Sequence, residues 1–199
     1  MRKPAITDAK LIEPIFERWS PRSFNPDSKI SNKLLQELVE AARWAPSSRN
    51  EQPWRFMLFG IGDNYRLDVE STLVPGNKWA ANASHLLVVC SSRNFKESER
   101  PNNHYKYDTG SAVMSLILQA MSRKIYSHQM AGFDRDELRK RLLVPESYDI
   151  IVVVALGYIY DELEKAGLEE ELIEKEIKAR NRKTINKLMA SGKRWIFPK

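Results

Sequence analysis

Two short, continuously apolar segments constrain the fold of this chain more than any other feature. Residues 86–91 read Leu-Leu-Val-Val-Cys-Ser, and residues 150–157 read Ile-Ile-Val-Val-Val-Ala-Leu-Gly. Runs of this kind are typical of strands that are covered on both faces. A third strand is predicted at residues 54–59, where aromatic and apolar side chains mix. The three segments predict a small central sheet with helices packed against it.

Helices are predicted around these strands, because apolar residues recur there at spacings of three and four. The predicted ranges are residues 8–19, about 32–44, about 109–123, 135–142 and 161–178. Ser31 and Asp134 precede two of these helices and can cap them. Helices that alternate with a small sheet indicate an α/β or α+β class.

The composition is that of one ordinary globular domain spanning residues 1–199, with 42% apolar and 29% charged residues. The net charge of +6 suits an anionic ligand but is too small by itself to indicate nucleic acid. The single cysteine, Cys90, excludes an intramolecular disulfide and a cysteine-based zinc site. It also favours a reducing compartment.

Neither a signal peptide nor a membrane span is expected. The first residues are basic and then polar, and the longest nearly apolar run, Ile150 to Tyr160, has 11 residues where about 20 are needed. We therefore expect a cytoplasmic protein with no membrane partner. From about residue 160 the chain becomes a charged helical arm, then a basic segment and a tail. We expect the tail residues Trp195, Ile196 and Phe197 to pack on something, because their free exposure would create an apolar patch.

The first motif with potential chemistry is Arg18-Trp19-Ser20-Pro21-Arg22. Two arginines around a hydroxyl can hold a phosphate, because guanidinium gives a planar donor fork and serine a short hydroxyl donor. Taken alone, the motif is better explained by surface cations near a helix C-terminus, where positive charge is favoured.

The second motif is the polar loop within residues 45–56, which joins an apolar helix to an apolar strand. Capping and turn bonding explain part of its serine and asparagine content. Gln52 and Trp54 on either side of a proline are not needed for a turn, however. A loop of neutral donors and acceptors between two rigid elements is suited to a polar ligand.

Together these motifs resemble the FMN-dependent nitroreductase family. The specific part is Arg-x-Ser-x-Arg-x-Phe at residues 18–24, followed by Ala-Pro-Ser-Ser-x-Asn-x-Gln-Pro-Trp-x-Phe at residues 45–56. Weaker segments agree in order along the chain, and they lie at residues 82–85, 108–111, 132–134, 155–158 and 180–183. The resemblance covers about residues 9–195.

The resemblance implies an α+β fold with a mixed central sheet flanked by helices, assembled as an intertwined homodimer. FMN would bind non-covalently at the dimer interface. NADH or NADPH would reduce it, and a small acceptor such as a nitroaromatic or a quinone would reoxidise it by a ping-pong mechanism. No side chain is expected to be catalytic, because hydride passes through flavin N5. No metal is expected either, since the histidines show no ligand spacing.

The resemblance also implies which residues bind the cofactor. Arg18 and Ser20 would hold the phosphate with Arg180 and Arg182, from the opposite end of the chain. Arg22 would lie beside the pyrimidine edge and stabilise negative charge at N1 and O2. Small residues at positions 131 and 132 would let backbone N–H groups approach N5. The full expected set is Arg18, Trp19, Ser20, Arg22, Pro46, Ser47, Ser48, Asn50, Gln52, Asn77, Gln129, Met130, Ala131, Gly132, Arg180 and Arg182.

Within this set, Ser47, Ser48 and Asn50 are expected to reach FMN across the dimer interface, and Asn77 to touch the flavin ring. Ala131 or Gly132 would supply the N–H near N5. His128, beside them, is expected to be a structural histidine rather than a catalytic acid. Tyr105 and Tyr107, in the segment 92–107, could line a substrate pocket or be exposed.

Several alternatives stay open. The fold could serve another flavin reaction, such as dehalogenation or flavin destruction, although 199 residues leave little room for the substrate-covering insertions of those enzymes. A flavin-binding module without turnover would use the same cofactor-holding residues. A nucleic-acid binder would show salt-sensitive binding. Residues 183–194 lack the interleaved aromatics of such a site, so nucleic acid is not an expected partner.

Overall fold

The computed structural model describes residues 2–192 and Trp195. The tail residues Ile196 and Phe197, for which packing was predicted, lie outside the described residues. Four strands form one sheet, β1 (Trp54–Gly60), β2 (His85–Ser92), β3 (Tyr126–Met130) and β4 (Tyr148–Gly157). The α-helices are α1 (Glu13–Glu17), α2 (Asn32–Arg43), α3 (Arg66–Ser71), α4 (Tyr105–Ser122), α5 (Arg135–Arg141) and α6 (Glu170–Ile177). The α+β class predicted from the sequence is therefore confirmed.

The sheet has the order β1-β2-β4-β3. Each neighbouring pair is antiparallel, with Trp54 opposite Ser91 and Tyr126 opposite Gly157. The resemblance implied a mixed sheet, but no parallel pairing occurs among the described strands. The sequence also missed β3, because its residues Tyr-Ser-His-Gln-Met contain no apolar run. This segment is a strand because its backbone pairs with β4 along its whole length.

The two apolar strands lie at the centre of the sheet, as their composition predicts. Side chains alternate between the faces of β2, so that Leu86 and Val88 join one apolar cluster with Phe24. Leu87 and Val89 join a second cluster on the other face, with α2 and α4. Burial on both faces explains why residues 86–90 of β2 and 150–157 of β4 are continuously apolar.

The helices largely follow the predicted ranges, with three differences, the first being α3, which was not predicted. Ser31 and Asp134 do cap α2 and α5, accepting hydrogen bonds from the backbone N–H of Leu34 at 3.4 Å and of Glu137 at 2.9 Å. α1 is only one turn long. The helix predicted at 161–178 is interrupted, because Gly167 takes a left-handed conformation with φ +57° between a 3₁₀ turn and α6. No helix in the described part of the chain is long and apolar enough to cross a membrane.

Candidate functional site

Cationic side chains from both ends of the chain meet beside α1. The burial of Arg18, together with repulsion from Arg180 and Arg182, lowers the pKa of its guanidinium. Burial lowers the pKa of Lys3, the Glu176 carboxylate opposes this, and the nearby Arg22 and Arg180 lower it further by smaller amounts. We call Lys3, Arg18, Arg22, Arg180 and Arg182 the basic cluster. Folding thus unites the N-terminal and C-terminal basic residues that the sequence pattern grouped.

Hydrogen bonds to backbone carbonyls fix the C-terminal part of the basic cluster. Nη1 of Arg180 donates to the carbonyls of Lys3 at 3.0 Å and Phe16 at 2.8 Å. Nη1 of Arg18 donates to Oγ of Ser20 at 3.3 Å. None of these acceptors carries a charge, so these contacts orient the guanidinium groups without neutralising them.

The carboxylate within the basic cluster is Glu176, a fully buried residue of α6. Its Oε1 accepts hydrogen bonds from the backbone N–H groups of Arg22 and Ser23, the latter at 3.0 Å. Burial raises the pKa of this carboxyl group, and these N–H donors and the charge of Arg22 oppose the rise. Glu17 nearby is paired with Arg2. The described residues therefore leave positive charge in excess, which suits a dianion such as a phosphate monoester.

Trp19, between Arg18 and Ser20 in sequence, is buried rather than exposed to a ligand. The ammonium of Lys3 lies 4.5 Å from the centre of its ring, and Tyr126 packs edge-on at 6.4 Å. The predicted role of Trp19 in cofactor binding stays a prediction. Its ring instead packs against the Lys3 ammonium and stabilises that charge.

His128 on β3 supports the loop that carries Arg22. Its Nδ1 lies 2.9 Å from the carbonyl oxygen of Pro21, which can only accept, so Nδ1 holds the proton. The imidazole packs 4.5 Å from the ring of Trp79, and the guanidinium of Arg22 lies 5.8 Å from the same ring. Burial, with smaller contributions from Arg22 and Arg18, lowers the pKa of His128 to about 4. A neutral histidine in this position is suited to a structural role.

The loop after β3 packs against the 3₁₀ segment Pro75–Asn82, which also carries Trp79. Nδ2 of Asn77 donates to the carbonyl of Gly132 at 2.9 Å, and a Cβ at Gly132 would lie 2.8 Å from a methyl of Val74. The structure thus brings Asn77 and Gly132 together beside the segment that carries Trp79, and their contact with a flavin ring stays a prediction. Gln129 and Ala131 are exposed, but the side chain of Met130 is buried and only its backbone could face a ligand.

The loop of the second motif is strained. Arg49, Asn50 and Gln52 adopt φ of 55°, 57° and 51°, a conformation that costs non-glycine residues about 1–3 kcal/mol each. Oγ of Ser47 accepts from the N–H of Gln52 at 3.0 Å, and the N–H of Ser48 donates to Asp108 at 3.0 Å. Strain held in place by such bonds is typical of ligand-binding loops.

This loop is far from the basic cluster within one chain. Pro46 to Gln52 lead into β1 at one edge of the sheet, whereas His128 lies on β3 at the other edge. Three strand spacings separate these edges, about 14 Å. The predicted site residues therefore form two groups, one with the basic cluster and Asn77, and one in this loop.

The segment 92–107 lies beside the strained loop and borders a cleft of about 440 Å³ that also includes Arg55 and Tyr148. Tyr105 donates to Asp149 at 2.5 Å, and Tyr107 is 78% exposed. Neither tyrosine lines this cleft. In the part of the chain that the structure describes, no group of three or more His, Cys, Asp or Glu residues is placed to hold a metal.

The sheet, the basic cluster and the strained loop define an α+β protein with a concentrated positive site. The family model described as "Nitroreductase family" matches residues 15–71 and 62–158. The chain therefore belongs to the nitroreductase family.

Individual relatives agree with this assignment. An Archaeoglobus fulgidus protein named as an NADH dehydrogenase/NAD(P)H nitroreductase is 32% identical over 157 residues, which cover 77% of this chain and 87% of the relative. An oxygen-insensitive NADPH nitroreductase of Helicobacter pylori strain J99 is 36% identical over 90 residues, 45% of this chain and 41% of that protein. A crystal structure described as an oxidoreductase containing FMN superposes with a TM-score of 0.88 at 30% identity, and the match covers 97% of this chain and 96% of that one.

The sequence pattern missed Lys3 and Glu176. Lys3 lies near the N-terminus with no motif around it, and Glu176 is one of several glutamates in a charged helix. Their importance comes from tertiary contacts between segments more than 150 residues apart.

Proposed function

We propose that this chain is an FMN-dependent oxidoreductase that takes electrons from NADH or NADPH and passes them to a small acceptor. The observation that carries the proposal is the convergence of Arg18 with Arg180 and Arg182 on one positive site. The names of the relatives and the FMN-containing structural neighbour support the choice of cofactor and electron donor.

The residues present fit FMN. Its phosphate carries close to two negative charges at neutral pH, and the basic cluster offers several guanidinium donors and the Ser20 hydroxyl with little competing carboxylate. Each charge-assisted hydrogen bond contributes about 1.5–3 kcal/mol. When bound, FMN supplies the transfer of hydride from the nicotinamide to the acceptor.

The chain's own residues bind and orient in this scheme. Arg22, held by Glu176 through its backbone and placed against Trp79, provides a fixed positive charge for the pyrimidine edge. Gly132, whose carbonyl is held by Asn77, lets the backbone approach the ring edge closely. We propose a ping-pong reaction with nitroaromatic or quinone acceptors, in which donor and acceptor use the same site in turn.

We further propose a homodimer in which the strained loop of one protomer completes the site of its partner. The separation of this loop from the basic cluster within one chain supports it. So do exposed apolar side chains at α1 and along α4, among them Ile12 at 62%, Ile15, Tyr107 at 78% and Met114. Sedimentation of a monomer that retains flavin would contradict this assembly.

The domain organisation and compartment remain part of the proposal. We propose that residues 1–199 form one domain with a C-terminal arm from about residue 160, and that the protein works in the cytoplasm. The single cysteine, which is buried, supports a reducing compartment.

The phosphate assignment is tested with the double variant R18A/R182A. Removal of two charge-assisted contacts should weaken FMN binding at least 100-fold, measured by quenching of flavin fluorescence. The matched control R43A/R123A removes two exposed arginines that pair with Glu40 and Glu37. It should change the FMN dissociation constant less than threefold. Full flavin retention by R18A/R182A would contradict the assignment.

A flavin-binding module without turnover is the second candidate. It predicts the same FMN affinity but no steady consumption of NADH or NADPH when a quinone is added. Multiple turnovers per protomer would exclude it.

A further inference from the structure

The N-terminal residues 2–5, which we call the N-terminal strap, are held against the basic cluster from several sides. Arg2 pairs with the buried Glu17. The N–H of Ala5 donates to the carbonyl of Phe16 at 2.8 Å, and the carbonyl of Lys3 accepts from Arg180 at 3.0 Å. The strap therefore has a defined path, although it precedes the first helix.

This path places the ammonium of Lys3 inside the cluster. Nζ donates to the backbone carbonyl of Glu176 at 2.6 Å and lies 4.5 Å from the centre of the Trp19 ring. An ammonium group has three N–H donors, so two remain for a ligand after the Glu176 bond. The Trp19 face stabilises the cation without using a donor.

The charges around the Lys3 ammonium comprise two arginines and one carboxylate among the described residues. Arg22 and Arg180 both face Lys3 closely enough to affect its protonation. The Glu176 carboxylate attracts Lys3, but its Oε1 also accepts two backbone hydrogen bonds, so three cations face one carboxylate. Lys3 is partly buried, so water screens the repulsion from the arginines only partly, and a bound anion would stabilise the arrangement.

We propose that Lys3 is a direct ligand of the FMN phosphate, contributed by the N-terminal strap. The inference deepens the proposed function and rests on it. Lys3 joins Arg18 and the C-terminal arginines as a third, separate part of the chain that binds the same anion. The motif at residues 18–24 contains no signal for it.

A purely structural role makes a different prediction. The carbonyl of Glu176 lies in the last turn of α6, where lysine side chains stabilise helix ends. If that were all, loss of Lys3 would loosen α6 and weaken every flavin equally, because the phosphate would not be involved.

The test compares FMN with riboflavin, which lacks the phosphate, on full-length protein stripped of flavin. K3M keeps an apolar stem on Trp19 and removes the charge, K3R restores a cation, and K10M is the matched control at an exposed lysine. We expect K3M to weaken FMN 10- to 100-fold and riboflavin less than twofold. K3R should recover most of the FMN affinity, and K10M should match the wild type.

Several results would overturn the inference. Equal weakening of both flavins by K3M would assign Lys3 to structure, and so would a loss that K3R fails to recover. If K3M leaves the FMN affinity unchanged, Lys3 is not a ligand of the phosphate. If K3M does not fold, K3R and K3Q are compared in the same assay, and equal FMN affinities would refute the charge contact. A wild-type protein that binds FMN no better than riboflavin would instead refute the proposed phosphate site as a whole.

Discussion

Replacement of His128 with asparagine should remove most of a steep loss of stability at acidic pH. The imidazole is partly buried between Pro21 and Trp79, with Arg22 and Arg18 nearby. These surroundings lower its pKa from 6.5 to about 4, chiefly through burial. Asparagine can keep a side-chain N–H donor for the Pro21 carbonyl, but it does not titrate.

The sign of this pH effect on stability follows from the difference in proton uptake between the unfolded and the folded chain. Below pH 6.5 the unfolded chain protonates at this histidine, whereas the folded chain does so only near pH 4. The contribution of His128 is therefore fully present above pH 6.5 and is lost as the pH falls through about 4. At about 1.4 kcal/mol per pH unit, the whole effect is about 3 kcal/mol.

The assay is urea unfolding followed by tryptophan fluorescence at a series of pH values from 7.5 to 4.5, at one protein concentration. Over this range the wild type should lose about 2–3 kcal/mol more than H128N. H104N is the control for loss of an exposed histidine. The pKa of His85 is lowered as well, by burial and by Arg66, so the difference between variants is the informative quantity. Parallel pH profiles for wild type and H128N would refute the reasoning.

Two further substitutions test the supports of the site. G132A should lower the unfolding free energy by about 1–3 kcal/mol, because its Cβ would lie 2.8 Å from Val74 and 3.0 Å from Nδ2 of Asn77. G76A, in the neighbouring 3₁₀ segment with open space around its Cβ, is the control and should change the unfolding free energy by less than about 0.5 kcal/mol, and similar thermal melts for both would contradict the packing argument. R66M should cost about 3–5 kcal/mol in urea unfolding. It leaves four backbone carbonyls without their donor, at residues 59, 81, 83 and 84, and a loss below 1 kcal/mol would contradict this role.

The central strands could be predicted because burial on both faces forces a continuous apolar run. β3 could not, since His128 and Gln129 interrupt any such run and only pairing with β4 makes the segment a strand. The break at Gly167 was missed for a related reason. The apolar spacing on either side suggests one helix, and the left-handed residue between the two parts is a local conformation that spacing does not encode.

The residues of the candidate site also fall into those that the sequence could predict and those that it could not. Arg18, Ser20 and the C-terminal arginines could be grouped from the sequence because they belong to motifs, and the structure brings them together. Lys3 and Glu176 could not, because no local pattern marks them and only the packing of α6 and the N-terminal strap gives them a role. The strain at residues 49, 50 and 52 is likewise invisible in side-chain types.

The central claim is that this chain binds FMN and accepts electrons from a nicotinamide nucleotide. The most direct measurement is the visible absorption spectrum of the purified full-length protein, before and after anaerobic addition of NADH or NADPH. The account predicts a yellow protein with flavin bands that bleach when one of the nucleotides is added. A protein that stays colourless after incubation with FMN would contradict the cofactor assignment, and a yellow protein that neither nucleotide bleaches would contradict the electron donor.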